Sequence, residues 1–317
     1  MKKHLIAAAV AAAVAVPAMA QNVTISGRID TSVMNIESNT GTKTTQMVTS
    51  AVTTNQIVLS GNEDLGGGLK ASFIINSPFT SDTNTNGLNF GGRGMLVGLS
   101  GDFGSIMLGK STGTHANAAV VTGGPLGNLT PVNLAGASLN NRPDNSITYS
   151  TPTMAGVRVQ VIHGLGSETK PTTNKQSEIS AYFAIGPLNV SAGYGTFSDF
   201  GSVGNDAKEI SLAVAGKVGP ATVSVRYLDL DYDLAAGNDS KGYGLGVTIP
   251  VAAGLDAIVD YTDIDTNADT DRSRVAVGLV KTLSKRTNVY AAAYKDSEKG
   301  AGKQDGSGFG VGVRHNF

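Results

Sequence analysis

From residue 21 onward the chain alternates apolar and polar side chains, and this period of two restricts its fold more than any other feature. Val23, Ile25, Ile29 and Val33 share one face, while Thr24, Ser26, Arg28 and Asp30 share the other. Val157, Val159 and Val161 alternate with Arg158 and Gln160, and Val223, Val225 and Tyr227 with Thr222, Ser224 and Arg226. Tyr243, Leu245, Val247 and Ile249 alternate with Gly242, Gly244, Gly246 and Thr248. Val275, Val277 and Leu279 alternate with Arg274, Ala276 and Gly278. Such strands either pack as a sandwich around one apolar core or close into a barrel.

The connections favour closure. Tight turns near 62–68, 102–103, 152–156, 186–187, 219–220, 252–254 and 283–286 are built from residues suited to reversing the chain, chiefly Gly and Pro. Longer polar segments near 35–54, 77–92, 113–141, 164–176, 197–207, 231–240, 265–271 and 296–306 alternate with them. Seven turns and eight loops separate sixteen strands and leave both termini at the short-turn end. A sandwich predicts no such asymmetry. A ring of sixteen strands is too wide for side chains to fill, so its interior is wet. Apolar outside and polar inside is the arrangement of a transmembrane β-barrel. The expected fold is all-β, a sixteen-stranded antiparallel transmembrane barrel with short periplasmic turns and long extracellular loops.

The N-terminus reads as an address. Lys2 and Lys3 precede an apolar run from Leu5 to Val16, followed by Pro17 and Ala18-Met19-Ala20. That run is too short to span hydrocarbon and has the form of a secretory signal peptide over 1–20, leaving 21–317 as the barrel. No later apolar run is long enough for a membrane helix. The chain has no Cys, which removes disulfides, thiolate metal sites and a Cys nucleophile. A net charge of −1 gives nucleic acid no basic surface to bind. With 15% charged residues and 41 glycines, the composition is that of a folded, Gly-rich chain.

The last strand places Phe309, Val311, Val313, His315 and Phe317 on one face and Gly310, Gly312, Arg314 and Asn316 on the other. Its aromatic final residue, Phe317, resembles the assembly signal of Gram-negative outer-membrane barrels. The stretch Val23-Thr24-Ile25-Ser26-Gly27-Arg28-Ile29-Asp30 is similar to the first strand of the trimeric general-diffusion porins. Gly61-Asn62-Glu63-Asp64-Leu65-Gly66-Gly67-Gly68-Leu69, Val97-Gly98-Leu99-Ser100-Gly101-Asp102-Phe103-Gly104 and Leu283-Ser284-Lys285-Arg286-Thr287 look like the same family. The resemblance implies a homotrimer in the outer membrane, in contact with lipopolysaccharide and lipid and handled by the barrel-assembly machinery. It implies a water-filled channel for small hydrophilic solutes and ions, narrowed by an inward-folded third loop, with no cofactor.

That loop is 113–141, whose Pro125, Leu126, Pro131 and Leu134 suit packing against a wall. It holds His115 and no Asp, Glu, Lys or Arg, unlike family members that set acids on this loop against a basic wall. Positions near Gln56 and Ser60, basic in many relatives, are uncharged. Alternation sends Arg28, Lys70, Arg158, Arg226, Arg274 and Arg314 into the lumen, and Arg142 joins them at the loop exit. Lumen acids by the same parity are Asp30, Asp256, Asp260 and Glu209. The throat is then mildly positive, and a weak anion preference is expected.

Tyr149, Tyr194, Tyr227, Tyr261 and Phe317 fall on the outer face as girdle aromatics do. Tyr290 and Tyr294 compete with Val289, Ala291 and Ala293 for that face, and strict parity would aim Lys110 at lipid. Asp263, Asp265, Asn267 and Asp269 mimic the start of a calcium loop, but Ala268 stands where Gly is needed and Arg274 where the bidentate Glu belongs. An acidic solvated loop is the simpler account, and no metal is expected. An outer-membrane hydrolase is a second reading, weakened because His115, His163 and His315 form no constellation with a nucleophile and an acid. A surface adhesin or structural barrel is the third.

Overall fold

The computed structural model describes residues 22–317 except 39, 84–86, 114–125, 130–141, 170–174, 200–203, 234–238, 268–270 and 299–304. The proposed leader, His115 and most of the third loop therefore lie outside the described residues. Seventeen strands follow in order: β1 (Asn22–Glu37), β2 (Lys43–Thr49), β3 (Gln56–Gly66), β4 (Leu69–Pro78), β5 (Gly94–Gly101), β6 (Gly104–Lys110), β7 (Ser146–Ser150) and β8 (Val157–Gly164). The chain continues through β9 (Lys175–Ile185), β10 (Leu188–Ser198), β11 (Ala207–Val218), β12 (Ala221–Tyr232), β13 (Ser240–Ala252) and β14 (Leu255–Thr266). It ends with β15 (Arg272–Thr282), β16 (Thr287–Glu298) and β17 (Ser307–Asn316). No helix occurs among the described residues.

Each strand from β3 to β17 pairs antiparallel with the next, and β17 returns to β1. β2 and β3 share one place in the wall: β2 pairs with β1 from Thr31↔Thr49 to Glu37↔Lys43, and β3 from Asn22↔Asn62 to Arg28↔Gln56. The wall is thus a closed ring of sixteen antiparallel staves. The sequence predicts a loop over 35–54, and here the structure corrects it. β1 runs on to Glu37, a short reversal follows, and β2 descends beside it before residues 50–55 turn into the lumen. Pro250, with no N–H to donate, sits near the end of β13 where the register slips between Pro250 and Ala252.

The burial pattern is inside-out for a water-soluble sheet. Ile25 is 66% exposed and Val311 61%, while inward Ser32 and Thr262 are 3% and 1%. Those outward rows cover hydrocarbon, because an apolar face this continuous would not persist in water. Tyr194, Tyr243 and Tyr261 are exposed on that face near the loop end of their strands. Tyr227 and Tyr261 give their hydroxyls to Asp229 and Asp263 at 2.7 and 2.9 Å. The outer tyrosines thus meet a polar rim.

Closure rests on the seam between the two ends of the chain. Gly27 N donates to Phe317 O, and Phe317 N to Gly27 O, both at 3.0 Å. The Phe317 ring lies over Gly27, where an added Cβ would stand 2.6 Å from Cζ and still closer to the Gln56 carbonyl. Gly27→Val should therefore lower the fraction of barrel that closes, by an overpacking cost of about 1–3 kcal/mol. Unheated electrophoresis of the refolded protein reads that fraction directly. A wild-type proportion of the compact band would contradict this account of the seam.

Candidate functional site: the throat of the barrel

Residues 50–55, which leave the wall between β2 and β3, are held by Asp30 of β1. Asp30 is fully buried, and its Oδ2 accepts Val52 N at 3.0 Å and Thr53 N at 2.6 Å. Its Oδ1 accepts the Tyr290 hydroxyl of β16 at 2.6 Å. The Asp30 backbone clamps both ends of the excursion, its carbonyl accepting Ser50 N at 2.8 Å and its N–H meeting Asn55 Oδ1 at 2.5 Å. Ser50 sits at φ 60, a strained value for a residue with a Cβ that this clamp maintains.

The excursion carries Leu126–Leu129, a described piece of the third loop. Asn128 N donates to Val52 O at 2.7 Å, and Asn128 Nδ2 to Ser50 O at 2.7 Å. Arg274 Nη1 of β15 donates to Leu129 O at 3.2 Å. Leu126 and Leu129 are buried among Met34, Val52, Ile258, Val280, Tyr290 and Ala292, all inward-facing or on the excursion. Two buried leucines contribute about 1.5–3 kcal/mol each. The third loop turns inward at this point, and an apolar cluster inside a wet barrel holds it there.

Arginines divide into two groups by what faces them. Arg226 of β12 reaches Asp260 of β14 through Nη2, at 2.6 and 2.8 Å, with side chains only 5% and 1% exposed. It crosses β13 over Gly244, where an added Cβ would stand 2.7 Å from Arg226 Nε. Arg274 chelates Asp296 with Nε and Nη2 and stacks on Tyr294 at 4.4 Å, and Arg272 Nη2 meets the same carboxylate at 3.1 Å. The second group is Arg28 on β1, Arg314 on β17, Arg142 before β7 and Arg93 before β5. Thr54 of the excursion holds two of them, its carbonyl accepting Arg28 Nε and its Oγ1 accepting Arg93 Nη1, both at 3.1 Å. Among the described residues Arg28, Arg93 and Arg314 make no salt bridge, and Arg314 lies within electrostatic range of Arg28. Burial, then the charges of Arg142 and Arg28, pull the Arg93 guanidinium down to about 10, and burial lowers Arg142. Both stay charged at neutral pH.

Sequence reasoning missed Arg93, because it lies in the turn before Gly94, where alternation has no meaning. Asp30 lies on the inward face, fully buried, with its carboxylate occupied by two backbone N–H groups, the Thr53 hydroxyl and a phenol. Arg158 stacks on Tyr182 at 4.8 Å, and Lys70 is exposed near the short-turn end of β4. Glu209 of β11 is buried beyond Gly195 from Glu178 of β9, and Asp256 is the second residue of β14. Lys110 gives its ammonium to Asp144 at 2.6 Å and to the Arg142 carbonyl at 3.2 Å, which removes the conflict with parity. Tyr290 and Tyr294 face inward. His163 and His315 are exposed, with Nδ1 on Ser177 Oγ at 2.9 Å and on Thr287 Oγ1 at 2.8 Å.

A closed, lipid-clad barrel whose throat is shaped by an inward segment and lined by cations is a membrane channel. Residues 7–301 match the family model described as Gram-negative porin, and the chain belongs to that family. It is 32% identical to outer membrane porin protein 32 of Delftia acidovorans over the full length of both chains. It is 27% identical to the major outer membrane protein P.IB of Neisseria meningitidis, again over all of both. Among solved structures, the anion-selective porin from Comamonas acidovorans superposes with a TM-score of 0.81 at 27% identity, covering 94% of this chain and 100% of that one. The protein is an outer-membrane diffusion channel.

The Arg226–Asp260 pair generates a stability prediction. Asp260→Leu strands a buried guanidinium and should cost about 3–5 kcal/mol, whereas adding Arg226→Met should recover most of that loss. Urea unfolding of the barrel refolded in lipid measures both. Equal midpoints for the single and double variants would refute the account.

Proposed function

We propose that the channel favours small anions and works as a homotrimer with 113–141 narrowing each throat. The observation that carries the anion preference is the gathering of Arg28, Arg93 and Arg314 about the excursion with no salt bridge among the described residues, while Arg226, Arg272 and Arg274 face carboxylates. The structural neighbour described as anion-selective supports the same direction. The preference is modest: unit charges about 4 Å apart in water interact by about 1 kcal/mol, and salt screens them beyond about 10 Å at 0.1 M. Lys70 and Arg158 continue the basic lining toward the periplasmic exit, and His115 belongs to the narrowing loop. Membership of a family of trimers supports the oligomer, and the exposed apolar girdle supports contact with lipid and lipopolysaccharide. The terminal Phe317 at the seam suits recognition by the barrel-assembly machinery, and 1–20 serves as a cleaved export signal. Catalysis is no part of this reading, for neither described histidine has a carboxylate among its hydrogen-bond partners.

Arg93→Gln should shift the reversal potential in a KCl gradient toward zero, because one throat charge is gone. Its melting temperature should hold or rise, since the substitution also relieves repulsion from Arg142 and Arg28. Planar-bilayer recordings and a thermal melt test the pair of outcomes. A wild-type channel that preferred potassium would end the anion reading.

A further inference from the structure

We propose that Asp30 is a positioning residue for conduction: through the excursion 50–55 it sets both the depth of the third loop and the place of the throat arginines. The selectivity half of this rests on the anion-preferring reading above, and the bore half does not. Asp30 has the inward parity expected of a lumen acid, but it turns no free oxygen to the water. It is fully buried, and its two oxygens take four hydrogen bonds, from Val52 N, Thr53 N, the Thr53 hydroxyl and the Tyr290 hydroxyl. A carboxylate accepting this many donors is held in one orientation and holds its donors in turn.

What those donors belong to gives the residue its function. Val52 O and Ser50 O are the two acceptors for Asn128, the polar residue of the Leu126–Leu129 turn. Thr54, in the same short segment, offers its carbonyl to Arg28 and its hydroxyl to Arg93. Asn55, fully buried, fastens the far end by accepting Asp30 N and donating to Thr49 Oγ1 at 2.9 Å. Asp30 is therefore the point where the wall strands β1 and β16 grip a six-residue shelf, and that shelf carries loop and cations alike. Without the carboxylate the N–H groups of Val52 and Thr53 lose their acceptor, the shelf loosens, and its cargo moves away from the throat together.

The sign of the effect separates this assignment from an ion-facing role. Removing an ion-facing acid would make the lumen more positive and strengthen anion preference. Removing a positioning acid withdraws the support of Arg28 and Arg93 and weakens it. In Asp30→Asn a neutral amide replaces the carboxylate, so the bonds to Val52 and Thr53 lose their charge assistance and become roughly half as strong, and the Tyr290 hydroxyl must turn to accept from the NH2 group. Asn128→Ala cuts the link between shelf and loop without changing any charge, and Tyr290→Phe removes one of the four donors.

The full-length porin is reconstituted for each variant, with single-channel conductance and reversal potential in KCl and liposome swelling in sugars of graded size. Asp30→Asn and Asn128→Ala should raise conductance by roughly 1.5- to 2-fold and admit larger sugars, because bore and lining charge set permeation in a wide pore. Asp30→Asn should also lose anion preference. A stronger anion preference in Asp30→Asn at unchanged sugar cut-off overturns the proposal, as does an unchanged cut-off in Asn128→Ala. If Asp30→Asn does not fold, Asn128→Ala and Tyr290→Phe decide on the cut-off alone. A wild-type channel without anion preference defeats the previous reading, and the sugar cut-offs still judge the shelf.

Discussion

A backbone N–H or C=O left facing hydrocarbon has no water to bond, and from this constraint the architecture follows. Every stave must have a neighbour on each side, so the first and last strands must meet. They meet with Gly27 and Phe317 exchanging both backbone hydrogen bonds, the terminal ring lying where a side chain on Gly27 would otherwise stand. Alternation then does the rest. Once the sheet is closed, odd and even residues of each strand face lipid and lumen, and apolar rows such as Val23, Ile25 and Ile29 cover the outside.

Closure solves the problem of the edge and creates a second one, an interior too wide to pack. The barrel answers in two ways. On the β12–β16 side, charged side chains lean across the wall and neutralise one another, which glycines such as Gly244 allow by leaving room above the backbone. On the β1 side the wall itself sends 50–55 inward, and the third loop is hung on that shelf by Asn128 and two buried leucines. The lumen thus acquires a small apolar core of its own, placed off-centre, with water on its other side.

How much of this the sequence disclosed depends on the range of the interaction concerned. The staves, the tight turns and the direction of Arg28, Arg226 or Arg314 follow from neighbours two residues away, so they were legible. Tyr290 was ambiguous by parity against Val289 and Ala291. Its partner Asp30 lies 260 positions earlier in the chain, and no local pattern encodes such a pair. β2 reads as a loop because Lys43-Thr44-Thr45-Gln46-Met47-Val48-Thr49 is polar on both faces and becomes a strand by pairing with β1. Arg93 escaped for the opposite reason: it is the first residue before a strand, and the turn that holds it obeys no period. The shelf, Ser50-Ala51-Val52-Thr53-Thr54-Asn55, has no compositional mark at all.

The two arginine groups show why residue type alone did not identify the throat. A carboxylate holds a guanidinium more strongly than a neutral oxygen does, but it also cancels the charge that an anion would sense. Where Asp260 faces Arg226, and Asp296 with Glu298 faces Arg272 and Arg274, the result is a brace with no net charge. Where Thr54 supplies a carbonyl and a hydroxyl, Arg28 and Arg93 are positioned and keep their charge, and the burial and then the repulsion that lower Arg93 are the cost. An acid in direct contact with the cluster would have removed that cost and the field together. Asp30 is close by, yet its oxygens are turned to N–H groups and a phenol, so it fixes the shelf while Thr54 meets the arginines. Separating the charge that supports the structure from the charges that face the solute lets one short segment order a cationic throat without neutralising it.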